Sequence, residues 1–346
     1  MIFRVVNAER MAKVKKLWSQ CFEKEGTPFF EYYFNDYCGK DNTVVGGFDE
    51  QDTLLTMLHL NPYMLNIRGT EILTPYIVGV ATDERERGKH LFGELLQVVF
   101  QMLRSQNFPF VFLMPVAEKI YTPYGFAFID YRPKYDLIKI HGTSNLQFEK
   151  IAPTAEILAP LYNKYVKGKN APVRTPFQWN KLLNDVKVEQ IICELIKQND
   201  EIIGYIFIDT GGKVLEYVNL LVQENDNLAK LPFMMARCID ARAALERLNV
   251  KNCQDCSFTL LLSDDFVEDN NHLLQISVQN GILTYEGTEA EEDFSMDMAT
   301  FVQLYFGVCD VLDLVEKEKI VVNNPLKLAA LGRMFPKCQT YINEYF

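Results

Sequence analysis

The residues with the clearest chemical potential form a charged turn between a strand pattern and a helix pattern. The turn reads Arg85-Glu86-Arg87-Gly88-Lys89-His90 and follows the apolar run Tyr76–Ala81. A helix that begins after such a turn leaves its first backbone N–H groups unpaired at the positive end of the helix dipole. The turn therefore predicts a binding site for a phosphate or a pyrophosphate.

The elements around this turn are predicted by periodicity. Apolar residues at helical spacing follow it, namely Leu91, Leu95, Val98, Val99 and Met102. A second apolar strand, Phe110–Val116, leads to a short segment that ends in Tyr121-Thr122-Pro123-Tyr124-Gly125-Phe126. The plainer interpretation is an ordinary β-α-β unit with a basic turn and no ligand.

Composition limits the class of protein. A chain of 346 residues predicts two or three domains. No apolar run has the length of a membrane span, and the first residues lack the pattern of a signal peptide, so a cytoplasmic location is expected. The net charge of −11 argues against a nucleic-acid partner and fits a cationic small molecule.

The eight cysteines show no framework of disulfides and are read as free thiols. Cys253 and Cys256 are the one close pair, which leaves a metal or redox site as an alternative. The pair leads into a strand pattern without further ligands at suitable spacing, so no metal is expected.

The rest of the chain reads as further α/β and α+β units. Four antiparallel strands are expected before the turn, with a break near Asn61-Pro62. A second α/β unit lacks a basic glycine turn and ends in a predicted helix, Pro232–Leu248. In the last hundred residues strands precede helices, which predicts an α+β domain with an apolar groove.

The turn and the segment after the second strand resemble the GNAT superfamily of N-acetyltransferases. Arg85 and Gly88 match the family's phosphate turn, while His90 stands where the family usually has glycine or alanine. The Tyr121, Gly125 and Phe126 ending is similar to a further family signature. The resemblance implies that acetyl-CoA is the cosubstrate. The residues expected to bind it are Val78, Gly79, Val80, Arg85, Glu86, Arg87, Gly88, Lys89 and His90.

The order of the units resembles the enhanced intracellular survival family. The turn, the Met234–Leu245 stretch and the final aromatic residue carry this likeness. It implies two tandem GNAT-like domains, with mixed and mostly antiparallel sheets flanked by helices, and then an α+β sterol-carrier-like domain. The expected bounds are 1–135, 136–250 and 251–346, and a hexamer or dimer is the expected assembly.

The same resemblance implies the catalytic groups. The family's general base is the terminal carboxylate, which Phe346 supplies here. Its general acid is a tyrosine directly after the glycine, but this chain has Phe126, which carries no proton to donate. Tyr121 is therefore the expected acid, with Tyr124 as its neighbour.

The predicted function is N-acetyl transfer to a primary amine of the aminoglycoside, polyamine or lysine type. An alkylammonium with a pKa of about 10.4 costs roughly 4–5 kcal/mol to deprotonate at neutral pH, so a base is required. The alternative is a non-catalytic acyl-CoA or lipid-binding protein on the same fold, which the Phe126 departure favours.

Overall fold

Three β-sheets and the helices packed on them make up residues 1–221 and 230–345, the part of the chain that the computed structural model describes. The first sheet has eight strands: β1 (Ile2–Val5), β2 (Thr43–Phe48), β3 (Leu54–Ile67), β4 (Thr70–Thr82), β5 (Phe110–Leu113), β6 (Ala127–Pro133), β8 (Ala171–Pro172) and β12 (Lys230–Cys238). The spatial order is β1-β2-β3-β4-β5-β12-β6, and β8 pairs with β3. β1 to β4 are antiparallel, as predicted, and β4 pairs with β5 in parallel.

The break predicted near Asn61-Pro62 is wrong, because β3 runs through both residues. Pro62 lies opposite Pro75 of β4. Proline removes a backbone donor and is tolerated in a strand where that donor has no ladder partner. The β2 pairing of β3 ends at Leu60, so Pro62 lies beyond the last residue that β2 contacts.

Helices cover both faces of the first sheet. They are α1 (Met11–Cys21), α2 (Pro28–Tyr32), α3 (Leu91–Ser105) and α4 (Glu118–Tyr121). The apolar stripe of α3 packs with Val45, Leu58 and Ile77 of the sheet. The aromatic side chains of α1 and α2 form a separate core with Phe48 and Met57. The charged turn thus lies between two firmly packed elements, β4 and α3.

The helix predicted over Pro232–Leu248 is wrong in its first half. Lys230–Cys238 form β12, which lies between β5 and β6, and only Ala241–Glu246 are helical, as α8. A central strand is buried on both faces and reads as a continuous apolar run, which periodicity cannot separate from a buried helix. Met234 and Met235 are both fully buried, in different cores.

The second sheet is antiparallel, with the order β11-β10-β9-β7. Its strands are β7 (Gln147–Ile151), β9 (Ile192–Gln198), β10 (Glu201–Ile208) and β11 (Val214–Asn219). The helices of this part of the chain are α5 (Leu137–His141), α6 (Ala155–Tyr165) and α7 (Pro176–Val188). The sequence pattern indicated α6 but missed α7, although α7 begins with a full capping box between Thr175 and Gln178 and with Pro176 at its first position.

The third sheet has the order β15-β14-β13-β16-β17. Its strands are β13 (Cys256–Ser263), β14 (His272–Gln279), β15 (Ile282–Gly287), β16 (Phe294–Asp297) and β17 (Ile320–Val322), and its helices are α9 (Met298–Phe306), α10 (Val311–Glu316) and α11 (Leu328–Met334). Its core is continuous with the first sheet through β12 and α9. The division at residues 135 and 250 stays a prediction, although any division has to place β12 with the first sheet.

Candidate active site

The first feature of the site is the separation of β4 from β5. The two strands pair only at Tyr76 with Phe112 and at Ile77 with Leu113. β5 then ends, whereas β4 continues to Thr82. The predicted residues Val78, Gly79 and Val80 follow the last pair and are half-buried. Their backbone N–H and C=O groups line a gap that an extended chain can enter as an added strand.

A bulge in β4 lies at this gap. Across β3, Met57 pairs with Ala81 and His59 with Val78, so Gly79 and Val80 both lie opposite Leu58. Gly79 has a φ of +57°, and a Cβ there would lie 2.7 Å from the ring of Trp18 and 3.1 Å from that of His59. Only glycine combines this backbone conformation with this close approach.

The charged turn connects β4 to α3, as predicted. Gly88 has a φ of +80°, and His90, the residue before α3, is also left-handed, with a φ of +61°. The left-handed backbone at position 90 explains why glycine suits that position in the family. Histidine adopts the same conformation at some cost in free energy. No side chain caps the first turn of α3, so its N–H groups remain available to an anion.

The charged side chains of the turn largely bind one another. Arg85 is 85% exposed and contacts Asp83 at 3.2 Å, and Lys89 pairs with Glu86 at 2.9 Å. Burial plays almost no part here, and the Arg85 guanidinium holds the pKa of Asp83 below its usual value. Arg85 and Lys89 are thus shared with carboxylates, and Arg87 donates to the Thr82 carbonyl at 3.4 Å. The backbone N–H groups of Arg87 and Lys89 point to the Glu84 and Glu86 carbonyls at 3.4 Å, a long contact that an anion can replace.

The predicted acids, Tyr121 and Tyr124, lie on either side of one aromatic ring. Phe92 of α3 makes edge-to-face contacts with Tyr121, at 5.9 Å between ring centroids, and with Tyr124, at 5.5 Å. Tyr121 is 5% exposed, and burial raises the pKa of its hydroxyl. Phe126 is fully buried and packs against Tyr121 and Phe100. Tyr121 therefore stays protonated at neutral pH, as a proton donor has to be.

The turn that carries Tyr124 is held by a buried arginine from β12. The guanidinium of Arg237 donates to the Tyr124 carbonyl at 2.6 Å and to Asp264 at 2.7 and 2.5 Å. The Arg237 side chain is fully buried. Gly125 has a φ of +78°, and a Cβ on it would lie 2.9 Å from Nε of Arg237. The sequence pattern placed Arg237 on a helix, where a solvated or interdomain ion pair is the plain interpretation, whereas the structure places it in the protein interior.

The last described residues, 342–345, form a tail that lies against the same sheet. Glu344 accepts from the hydroxyls of Tyr63, through its side chain, and Tyr76, through its backbone. Arg174 donates to the Glu344 carboxylate at 3.1 Å and to the Asn343 carbonyl at 3.2 Å. Because Tyr76 belongs to the last β4–β5 pairs, this places Glu344 beside the gap. Phe346, the predicted base, lies outside the described residues.

Arg132 binds the tail through Ile342 and Tyr345. Its guanidinium donates to the Ile342 carbonyl at 2.7 Å and to the Tyr345 hydroxyl at 3.1 Å, and it lies 3.2 Å from the centre of the Phe233 ring. The Tyr345 hydroxyl donates to the Leu215 carbonyl. Residues 342–345 are thus held by the first and second sheets together.

An acidic cavity of about 300 Å³ opens beside this tail. Its wall contains five carboxylates and one lysine, namely Asp185, Glu189, Asp209, Glu216, Glu344 and Lys213. Lys181 pairs with Asp185, and Arg174 pairs with Glu216 and Glu344, so five carboxylates face three cations. The wall therefore carries a net negative charge.

Two carboxyls at the end of α7 have raised pKa values. Burial raises the pKa of Asp185 against the opposing effect of Lys181. Burial, with repulsion from Glu23 and Asp185, also raises the pKa of Glu189. None of these cavity residues was predicted as a site residue. The capping box of α7 was the one available signal, and nothing in the sequence connects Arg174 with a residue 170 positions away.

The surroundings of the Cys253 and Cys256 pair can be compared with those of a metal or redox site. Residues 1–221 and 230–345 contain no cluster of three or more His, Cys, Asp or Glu side chains arranged for a metal ion. Cys253 and Cys256 are free thiols, and burial raises the pKa of Cys256 to about 11. A thiol that stays protonated is a poor metal ligand and nucleophile. Over the same residues, no helix is both long and apolar enough to span a bilayer.

Two family models match the chain, and both agree with this architecture. Residues 3–129 match the acetyltransferase (GNAT) domain, and residues 241–343 match the sterol carrier protein domain. No curated protein matches the chain. The predicted fold, with mixed and mostly antiparallel sheets flanked by helices and a final sterol-carrier-like domain, is confirmed.

Solved structures share the fold over the full length. A conserved protein of unknown function from Enterococcus faecalis V583, called a probable N-acyltransferase, is 17% identical with a TM-score of 0.83, covering 100% of this chain and 99% of that one. A GCN5-related N-acetyltransferase from Anabaena variabilis ATCC 29413 is 18% identical with a TM-score of 0.77. Eis1 from Mycobacterium abscessus is 13% identical with a TM-score of 0.72. Coverage is 100% of both chains for the latter two, and at these identities the likeness concerns the fold.

Proposed function

We propose that this chain, an acyltransferase that joins a GNAT domain to a sterol carrier protein domain, moves the acetyl group of acetyl-CoA to a primary amine. The observation that carries the proposal is the gap after Ile77 and Leu113, where β4 continues without β5. The backbone of Val78, Gly79 and Val80 would bind the pantetheine arm there. The amides of Arg87–His90 would bind the pyrophosphate at the start of α3.

The acceptor is proposed to be a cation before it reacts. Primary amines with a pKa of about 10.4 are ammonium ions at neutral pH, and a wall with excess carboxylates attracts them. The acidic cavity is bordered by Glu344 of the tail, which also contacts Tyr76 beside the gap. An amine entering the cavity would therefore approach the thioester from the tail side. Aminoglycosides, polyamines and lysine side chains all meet this requirement.

Two groups are proposed to move protons. The terminal carboxylate of Phe346 would take the proton from the ammonium ion, directly or through water, which leaves a neutral nitrogen able to attack. Tyr121 would donate its hydroxyl proton, or a strong hydrogen bond, to the departing sulfur, whose thiol has a pKa of about 8.5. Tyr124 is the alternative donor. Arg174 and Arg132 would act by fixing the segment that carries the carboxylate.

The second candidate is an acyl-CoA or lipid-binding protein without turnover. Phe126 in place of the family's tyrosine is the observation that favours it. Acetyl-CoA binding occurs under both proposals and cannot separate them. Release of free CoA in the presence of amines can, because only the enzyme produces it.

The test is CoA release with a panel of aminoglycosides, polyamines and lysine peptides. Tyr121→Phe and a one-residue extension after Phe346 should each lower kcat by about 10²-fold or more while acetyl-CoA still binds. Tyr285→Phe is the control, because this hydroxyl lies on β15 of the third sheet and donates to Glu246 of α8. Turnover that is unchanged in both variants would refute these catalytic roles, and the absence of turnover with every amine would favour the binding protein.

A further inference from the structure

His59 lies in a buried polar cluster beneath the bulge of β4. It is fully buried and stands opposite Val78 in the β3–β4 pairing. Its ring packs against Trp18 of α1, at 5.3 Å between centroids, and against Tyr33, at 5.7 Å. The roles proposed above for the tail and for Tyr121 do not use this side chain.

The hydrogen bonds of the cluster fix the proton on the imidazole. The Asn42 amide donates to the Tyr33 oxygen and to Asn61 Oδ1, both at 3.0 Å. The Tyr33 oxygen already accepts this bond, and its own O–H lies 2.8 Å from Nδ1 of His59. The Cys38 thiol, 3.8 Å from the same nitrogen, is a further donor. With Nδ1 as the acceptor, the Tyr33 O–H has a partner and the neutral ring carries its proton on Nε2, which is the tautomer that the proposal below requires.

The Nε2–H group is a donor without an acceptor. It is shielded from solvent and has no hydrogen-bond partner among residues 1–221 and 230–345. Buried donors in native proteins are nearly always paired, so an unpaired one asks for an explanation. Burial lowers the pKa of His59 to about 3, which keeps the ring neutral and the donor in place at physiological pH.

The ring of His59 lies against the bulge of β4, and the residues of this bulge line the gap between β4 and β5. The carbon next to it in the ring, Cδ2, lies 3.1 Å from the position that a Cβ on Gly79 would occupy. Gly79 is the second residue of β4 after its last pair with β5. The ring therefore packs against the strand segment along which the proposed cosubstrate would bring its acyl carbonyl, which is a hydrogen-bond acceptor.

We propose that the Nε2–H of His59 donates a hydrogen bond to the acyl carbonyl oxygen of acetyl-CoA, an inference that rests on the proposed function. As the amine nitrogen bonds to the carbonyl carbon, the C=O electron pair moves to oxygen, and the donor stabilises that charge. The electron pair on oxygen then re-forms the C=O bond as the C–S bond breaks with its pair on sulfur; the sulfur takes a proton from the acid, and the new amide nitrogen releases its extra proton to water. His59 keeps its own proton throughout and acts as a neutral electrophile.

Infrared spectroscopy of bound acetyl-CoA labelled with ¹³C at the carbonyl tests this directly. In the wild type the C=O band should lie at lower wavenumber than in solution, and in His59→Phe the band should return toward the solution value. The same variant should lose about 10²- to 10³-fold in kcat with little change in the KM for the amine. His59→Gln, which places an amide N–H near the Nε2 position, should recover part of both effects.

Tyr33→Phe is the milder variant, because it removes one hydroxyl and keeps the histidine. Without the Tyr33 proton the ring can move its own proton to Nδ1, so the C=O shift should shrink. Nitrogen-15 NMR of the ligand-free wild type should show the proton of His59 on Nε2. This measurement and the Tyr33 variant decide the matter if thermal denaturation shows that His59→Phe does not fold.

Two results would overturn the inference alone: a bound His59→Phe variant with an unchanged C=O band, or a ligand-free protein with the proton on Nδ1. A wild type that binds no acetyl-CoA would overturn the proposed function and this inference with it. The two failures are therefore distinguishable.

Discussion

At the scale of single residues, the site depends on glycines whose missing side chain leaves space for a neighbouring side chain. Gly125 is left-handed, with a φ of +78°, and its missing side chain leaves room for the guanidinium of Arg237. That guanidinium fixes the Tyr124 carbonyl and is itself neutralised by Asp264. The glycine of the Tyr-x-x-x-Gly-Phe signature thus allows β12 to hold the turn between the two candidate acids and Phe126.

Replacing Gly125 by alanine should therefore cost more than backbone strain. A left-handed alanine costs roughly 1–2 kcal/mol, and displacing Arg237 should add to this. Gly212→Ala is the matched control, since its φ is +84° and no atom lies within 4 Å of its Cβ position. Equilibrium unfolding in urea compares the two. Equal losses of stability would mean that the Arg237 contact contributes nothing.

Single residues also show what the sequence could reveal. The anion turn was predictable, because Gly88 stands between a strand pattern and a helix pattern that are both local. The partner of Arg237 was not, because Asp264 is 27 positions away and an arginine in an apolar run looks solvated. His59 was expected to be a packed residue, which it is, but its hydrogen-bond chain needs Tyr33 and Asn42, which only the fold brings near.

At the scale of elements, β12 and α7 account for most of what sequence reasoning missed. β12 is a central strand whose two apolar faces hide its period. α7 has a weak apolar stripe but a complete start signal at Thr175-Pro176. This helix supplies Asp185 to the acidic cavity, and Glu189, the residue that follows the helix, lies in the same cavity wall. Start signals thus deserve weight even where periodicity is poor.

The carboxyls of this helix predict how amine binding depends on pH. Burial raises the pKa of both Asp185 and Glu189, so they take up protons at a higher pH than ordinary carboxyls. The amine stays charged below its pKa of about 10.4, so its affinity should fall between pH 7 and pH 5 as the wall loses negative charge. Calorimetric titration across this range measures the change.

Glu189→Gln should weaken amine binding at pH 7 and flatten this pH dependence. Glu50→Gln, at an exposed position in the turn between β2 and β3, is the control and should leave both unchanged. A Glu189 variant that keeps the steep fall would assign the titration to other groups. Because Glu189 is exposed, solvent screening should limit its effect to a few-fold in affinity.

At the scale of the whole molecule, the tail joins parts of the chain that are far apart in sequence. Glu344 accepts hydrogen bonds from Tyr63 and Tyr76 of the first sheet. It also pairs with Arg174, which in turn pairs with Glu216 of the second sheet. Local patterns predicted the antiparallel strands before the turn, but no local pattern reports a contact of this kind. Only the resemblance to a family directed attention to the terminus.

Removing Arg174 should therefore damage stability and activity together. The side chain is fully buried between the Glu216 and Glu344 carboxylates, so Arg174→Leu leaves two charges without compensation. Breaking such a pair costs about 3–5 kcal/mol, which urea unfolding should show. In the double variant Arg174→Leu/Glu344→Gln, one of these charges is gone, so part of the stability should return.

Activity separates the role of Arg174 in stability from its role in positioning. The double variant regains stability but not the bonds to Asn343 and Glu344, so its kcat should stay low and carboxypeptidase should trim its tail faster than that of the wild type. Arg10→Gln is the control, because Arg10 pairs with Asp52 at a partly exposed site and should cost no more than about 1 kcal/mol. A double variant with full kcat would show that the proposed reaction does not need the tail to be held at the gap.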